Sequence, residues 1–118
     1  MKKIYYLATC STCAEIIREA GISAAEFEMQ DIKTEKITAA QLDALKDMAG
    51  SYESLFSRRA LKYKEMGLKD KSIGEMDYRQ LILDEYTFLK RPVVVMGSKI
   101  FIGSEKKTRA ALAEAVRG

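Results

Sequence analysis

Lys3-Ile4-Tyr5-Tyr6-Leu7-Ala8-Thr9-Cys10-Ser11-Thr12-Cys13-Ala14-Glu15-Ile16-Ile17-Arg18 is the stretch whose reading decides the fold. An apolar run of strand length over residues 3–8 suits a central strand buried on both faces. A helical pattern takes over at Ala14 and continues to Ala20, with Ile16, Ile17 and Ala20 on one side and Gly21 as the expected terminator. The only two cysteines of the chain sit at the junction, three positions apart. Across the first turn of a helix their sulfurs can approach to disulfide distance, so the pair can cycle between dithiol and disulfide. The unpaired N–H groups and positive dipole end of that turn stabilise a thiolate, which makes Cys10 the expected nucleophile. Cys13, one turn in, is placed to attack an adduct formed on Cys10, the role of a resolving thiol.

Other readings of the pair remain. C-x-x-C is also half of a zinc site, but a four-ligand structural zinc needs two further Cys or His ligands. The chain has no other cysteine and no histidine, so only a site shared between two chains would serve, and no metal is expected. Two buried, inert thiols or a structural disulfide are the plainer alternatives.

The remaining sequence is expected to build one domain over residues 1–118, with 47% apolar residues for its core. It contains no apolar run long enough for a membrane span, and the N-terminus enters a strand directly, so a soluble, cytoplasmic protein is expected. The net charge of +3 does not imply nucleic-acid binding, but it is unevenly spread. Residues 1–56 carry six Lys/Arg and nine Asp/Glu, whereas residues 57–118 carry fourteen and eight. An anionic substrate could exploit the basic half; solvated side chains scattered over helix faces would look the same.

Beyond Gly21, residues 24–32 alternate, with Ala25, Phe27 and Met29 inward and Glu26, Glu28 and Gln30 outward, and read as a second strand completing a parallel βαβ unit. A helical section is expected over about 38–86. Thr38 caps a helix carrying Leu42, Leu45 and Met48 and stopped by Gly50, and short helical pieces follow over 51–71. Ser72 then caps a helix with Met76, Tyr78, Leu81 and Ile82 inward. Strand character returns over residues 87–92. Val93–Met96 is a buried strand, Gly97-Ser98 a type I′ or II′ turn, and residues 99–102 the last strand. A final helix runs over 107–116, capped by Ser104, with Leu112 and Val116 inward. The order βαβ, helices, ββα predicts an α/β thioredoxin-like fold: a four-stranded mixed sheet with a helical insertion.

Three segments together carry a family resemblance. Cys10-Ser11-Thr12-Cys13, the middle run Ser57-Arg58-Arg59-Ala60-Leu61-Lys62-Tyr63-Lys64-Glu65-Met66-Gly67-Leu68, and Leu89-Lys90-Arg91-Pro92-Val93-Val94-Val95 resemble the ArsC/Spx family of thioredoxin-fold proteins in order and spacing. The resemblance covers nearly the whole chain. It implies that Pro92 is the proline that is usually cis and lies beside the active cysteine.

One branch of that family, the glutaredoxin-coupled arsenate reductases, implies Cys10 as the nucleophile toward arsenate. It also implies Arg91, with Arg58 or Arg59, as oxyanion-binding arginines. A third arginine, expected near Ile102 or Gly103, is absent from this chain; Lys99 or Lys106 could stand in, without a guanidinium's bidentate grip. No tightly bound cofactor is implied; glutathione with glutaredoxin, or thioredoxin, would be the external reductant. The substrate would be a small oxyanion such as arsenate, or a disulfide, with no direct nucleic-acid or membrane partner. The Spx-like branch also carries C-x-x-C, and implies instead a redox-sensing regulator that binds the RNA polymerase alpha subunit. For Arg58 and Arg59, pairing with neighbouring carboxylates such as Glu65 is the plainer alternative.

Overall fold

The computed structural model describes residues 1–118. The chain divides into two compact units, residues 1–35 with 91–118, and residues 36–90.

The first unit is a four-stranded mixed sheet, consistent with the thioredoxin-like fold. Its strands are β1 (Lys2–Tyr6), β2 (Glu28–Asp31), β3 (Val93–Met96) and β4 (Lys99–Ile102), in the order β2-β1-β3-β4. β1 runs parallel to β2 and antiparallel to β3, and β4 returns antiparallel to β3. Helices α1 (Ser11–Ala20) and α5 (Lys106–Arg117) pack against each other. One face of the sheet contributes Ile4 and Val94 to a core completed by Ile16, Ala20 and Leu112. Burying each of the larger of these side chains contributes roughly 1.5–3 kcal/mol. Across the helix pair Arg109 reaches Glu19 at 2.7 Å and Glu15 at 3.6 Å.

Several boundaries differ from expectation. β1 ends at Tyr6, because Cys10 N–H donates to the Leu7 carbonyl (3.0 Å) and turns residues 7–10. β2 begins only at Glu28: the Glu26 and Phe27 N–H groups both donate to the Ser23 carbonyl, so residues 24–27 form a turn. Gln30, expected outward, is 2% exposed and donates to the Glu35 carbonyl at 3.0 Å. α5 is capped by Glu105 rather than Ser104. Gly97 has φ +61° and no non-glycine residue has positive φ, which selects the type II′ turn over I′. α1 ends as expected: Gly21 takes φ +75°, and the Ile22 N–H closes back on the Ile17 carbonyl at 3.0 Å.

The second unit carries α2 (Ala39–Ala49), α3 (Leu61–Glu65) and α4 (Glu75–Asp84), with single 3₁₀ turns at Glu53–Leu55, Leu68–Asp70 and Tyr86–Phe88. Thr38 and Gln41 form a reciprocal capping box at the start of α2. Phe56 centres an aromatic cluster, stacked on Phe88 at 4.9 Å and tilted against Tyr78 at 4.8 Å. Asp43 on α2 accepts hydrogen bonds from Arg79 Nε (2.8 Å) and the Tyr52 hydroxyl (2.6 Å). Arg79 first, then Tyr52, hold its carboxyl down to about 2.

Three expectations fail in this unit. The helix after Ser72 is capped at Gly74, whose N–H donates to Asp77 at 2.9 Å. Met76 is 67% exposed, because Tyr78 and Ile82 define the buried stripe and a residue two positions earlier points away from it. Residues 86–88 form a 3₁₀ turn instead of a strand, since Glu85 accepts from the Thr87 N–H and hydroxyl; Leu89 forms a single bridge to Phe56. No helix in the chain is long and apolar enough to cross a membrane.

Candidate active site at the start of the first helix

The turn that ends β1 delivers Cys10 to the N-cap of α1, with extended backbone (φ −93°, ψ 114°), and its carbonyl accepts the first helical bond from Ala14 N–H at 3.1 Å. Cys13 follows at the third helical position. The two thiols are both free, but they are not equivalent: Cys10 is partly exposed, whereas Cys13 is fully buried.

Their surroundings push the two in opposite directions. Partial burial works against ionising Cys10. It is outweighed by the N–H of Cys13, the thiol of Cys13, the N–H of Thr12 and the charge of Arg91, which together hold the thiol below the usual cysteine value. These N–H groups act on the sulfur as the open end of a helix acts on an anion, although Cys10 forms no regular side-chain cap. Cys13 is pushed up to about 11. Burial is the main cause, a hydrogen bond from the Leu7 backbone offsets part of it, and donation to Cys10 together with the charge there add to it. The arrangement is a thiolate stabilised at an accessible position, backed by a protonated thiol that donates to it.

Strand register places Arg91 and Pro92 at the same end of the sheet. Val93 pairs with Tyr5, so the residues just before β3 lie where β1 runs out toward Cys10. The Arg91–Pro92 bond is cis. Arg91 lies close enough for its charge to lower both thiols. An Arg91→Gln variant is therefore expected to move the pH midpoint of Cys10 alkylation upward. The iodoacetamide rate at neutral pH would fall with it, and an unchanged midpoint would remove Arg91 from the thiolate's surroundings.

The other positions singled out in the sequence fare differently. The stretch where the resemblance implies a third arginine lies beside Pro92, because the Gly103 N–H donates to the Pro92 carbonyl at 2.9 Å; Ile102 and Gly103 there carry no charge. Lys99 cannot stand in there, since it pairs with Met96 at the hairpin end of β4, the far end of the sheet. Lys106 opens α5, and the first arginine beyond Pro92, Arg109, is engaged by Glu15 and Glu19. Arg58 and Arg59 belong to the second unit. Arg58 is paired there with Glu53 (2.7 Å) and donates to the Tyr78 hydroxyl (3.1 Å), so its carboxylate partner is Glu53; Glu65 pairs instead with Lys62. Arg59 is exposed.

Two contributors were not visible as functional groups in the sequence: the Leu7 backbone, which bonds Cys13, and the Thr12 N–H, which acts on Cys10. Their signal was the change of period between Leu7 and Ala14. It marks a turn whose backbone groups must be satisfied by something.

Known proteins share this frame. The protein YfgD of Escherichia coli K12 is 28% identical over 104 residues, covering 86% of this chain and 87% of its own. A solved structure from Bacteroides fragilis, described as ArsC family related, superposes with a TM-score of 0.78 at 22% identity, covering 94% of this chain and 96% of that one. An arsenate reductase from Vibrio cholerae superposes with a TM-score of 0.76 at 16% identity, over 96% and 95% of the two chains. Residues 5–112 match the ArsC family model, a span that takes in the cysteine turn, the Arg91–Pro92 entry to β3 and most of the last helix; the chain belongs to the ArsC family.

Proposed function

We propose that this chain is a thiol-dependent oxidoreductase of arsenate-reductase type, with Cys10 as nucleophile and Cys13 as resolving thiol. The observation that carries the reading is the asymmetry of the pair: an accessible sulfur at a helix N-cap, hydrogen-bonded to a fully buried thiol one turn on. Membership of a family with arsenate reductases among its structural neighbours supports the substrate class.

In the proposed cycle the Cys10 thiolate attacks As(V), and an arsenate hydroxyl takes up a proton from solvent and leaves as water. Cys13 Sγ then attacks Cys10 Sγ. The S–As bond breaks with its electron pair retained on arsenic, the Cys13 proton passes to the departing As(III) oxyanion, and two thiols have become one disulfide. Thioredoxin, or glutaredoxin with glutathione, returns the disulfide to the dithiol. Arg91 favours the thiolate and attracts the oxyanion to the same end of the sheet.

A second reading has one observation in its favour. No arginine occurs between Arg91 and Arg109, so the clamp on a tetrahedral oxyanion lacks a member, and chemistry on a disulfide, as in a redox switch of the Spx type acting on an RNA polymerase alpha subunit, needs no such clamp. Turnover assays separate the two. Arsenate-dependent oxidation of a thioredoxin or glutaredoxin system by the wild-type protein supports the reductase. Disulfide cycling of Cys10 and Cys13 with no response to arsenate under either reductant supports the switch.

A further inference from the structure

The segment from Arg58 to Ile73, within the second unit, is unlike the rest of the chain. It holds six cations, Arg58, Arg59, Lys62, Lys64, Lys69 and Lys71, against two anions, Glu65 and Asp70. Two of the cations are engaged, Arg58 by Glu53 and Lys62 by Glu65, while Arg59, Lys64, Lys69 and Lys71 have no ion-pair partner. The same segment exposes apolar surface. α3 buries none of its residues, Leu61 is 80% exposed and Met66 42% exposed. Gly67, at φ +64°, reverses the chain from α3 into the 3₁₀ turn Leu68–Asp70, so the two short helices pack together.

Beside that turn lies a cleft of about 290 Å³ whose apolar wall is Leu68, Ile73 and Leu81, with Lys71, Ser72, Asp77 and Gln80 as its polar lining; the Asp77 carboxylate already accepts from the Gly74 N–H at 2.9 Å. Its size suits one or two side chains rather than a large cofactor. Tyr63 packs α3 against Phe56, whereas Leu61 on the same helix stays exposed with nothing of the unit packed over it.

We propose that the α3 surface and the adjoining cleft form a docking site for an acidic protein segment that carries an apolar anchor residue. The unpaired cations select the charge of the partner, and the Leu68–Ile73–Leu81 wall takes its anchor. A polynucleotide fits less well: Tyr63, the aromatic residue of α3, is half-buried and packs against Phe56, so no exposed ring offers a stacking platform. An anionic bilayer fits less well too, since a helix of five residues presents too little apolar face to lie in the interface.

The test uses the full chain and a fluorescein-labelled peptide with a Leu-Phe pair between short runs of Asp and Glu. Control peptides replace the pair by Ser-Ser, or the acidic residues by Lys. Fluorescence anisotropy should show salt-sensitive binding of the first peptide only. Amide shifts in the NMR spectrum should fall on residues 59–81 and not on Cys10 or Cys13. The double variant Lys64→Glu/Lys71→Glu, at two exposed positions, should weaken binding by about tenfold or more, and Leu61→Ser should weaken it by less, with the melting temperature of both unchanged. The proposal is overturned by equal binding of the Leu-Phe and Ser-Ser peptides, by indifference to charge reversal, or by no peptide binding. Preferential binding of phosphatidylserine vesicles or of a single-stranded oligonucleotide overturns it as well.

Discussion

A Cys10→Ser variant is expected to lose arsenate-dependent, thiol-coupled turnover by on the order of a thousandfold or more. The hydroxyl that replaces the thiol does not ionise near neutrality, and oxygen cannot form the disulfide that carries the electrons away. The loss should come without unfolding, because Ser is a better N-cap than Cys: its oxygen can accept the N–H groups that face the Cys10 sulfur, a contribution of about 1 kcal/mol. The melting temperature should therefore be equal to or above that of the wild type. Alkylation gives the same answer by another route. The wild type should take a single label at Cys10, with a pH midpoint below that of an ordinary cysteine, since its thiol is the one held down. The variant should take almost none, because Cys13 is fully buried. Turnover within tenfold of wild type would move the nucleophile elsewhere.

The sequence made the site legible where chemistry and period coincide. Cys10 and Cys13 stand at the change from strand to helix, and any chain that folds this way must leave open N–H groups there. The strand Val93–Met96 and the turn Gly97-Ser98 were equally plain, because a run of valines followed by a glycine has few other conformations available. What stayed hidden depends on contacts between distant residues. Gln30 reads as an outward polar residue, yet the Glu35 carbonyl gives its amide a partner and allows it to be buried. Lys99 looks close to the absent arginine along the chain, but the hairpin carries it to the opposite end of the sheet.

The middle arginines show the same limit. Sequence placed Arg58 among several neighbouring carboxylates, of which Glu65, seven positions on, was the one named, although Glu53 is five positions back. The 3₁₀ turn at Glu53–Leu55 instead brings Glu53 under the guanidinium, while Glu65 stays with Lys62 on α3. Local pairing rules apply within one helix. Arg58 precedes α3 and lies outside their reach.

Removing the second thiol should separate resolution from attack. Cys13→Ser and Cys13→Ala are both expected to leave alkylation of Cys10 intact and to cut steady-state turnover with thioredoxin by about a hundredfold or more, since the Cys10 adduct can no longer be expelled by an internal thiol. Glutathione added as an external thiol should restore part of the rate, and mass spectrometry should then find glutathione on Cys10. The two variants should differ in the pH dependence of Cys10. The hydroxyl introduced by Cys13→Ser can still donate toward the Cys10 sulfur, whereas the methyl left by Cys13→Ala cannot, and the Cys13 thiol is one of the groups that hold Cys10 down. The alkylation midpoint should thus rise further in Cys13→Ala than in Cys13→Ser. Identical midpoints in both variants and the wild type would mean that the backbone N–H groups and Arg91 set the thiolate alone. Undiminished turnover in both would mean that Cys13 does not resolve the adduct, and that an external thiol takes that step in the native protein.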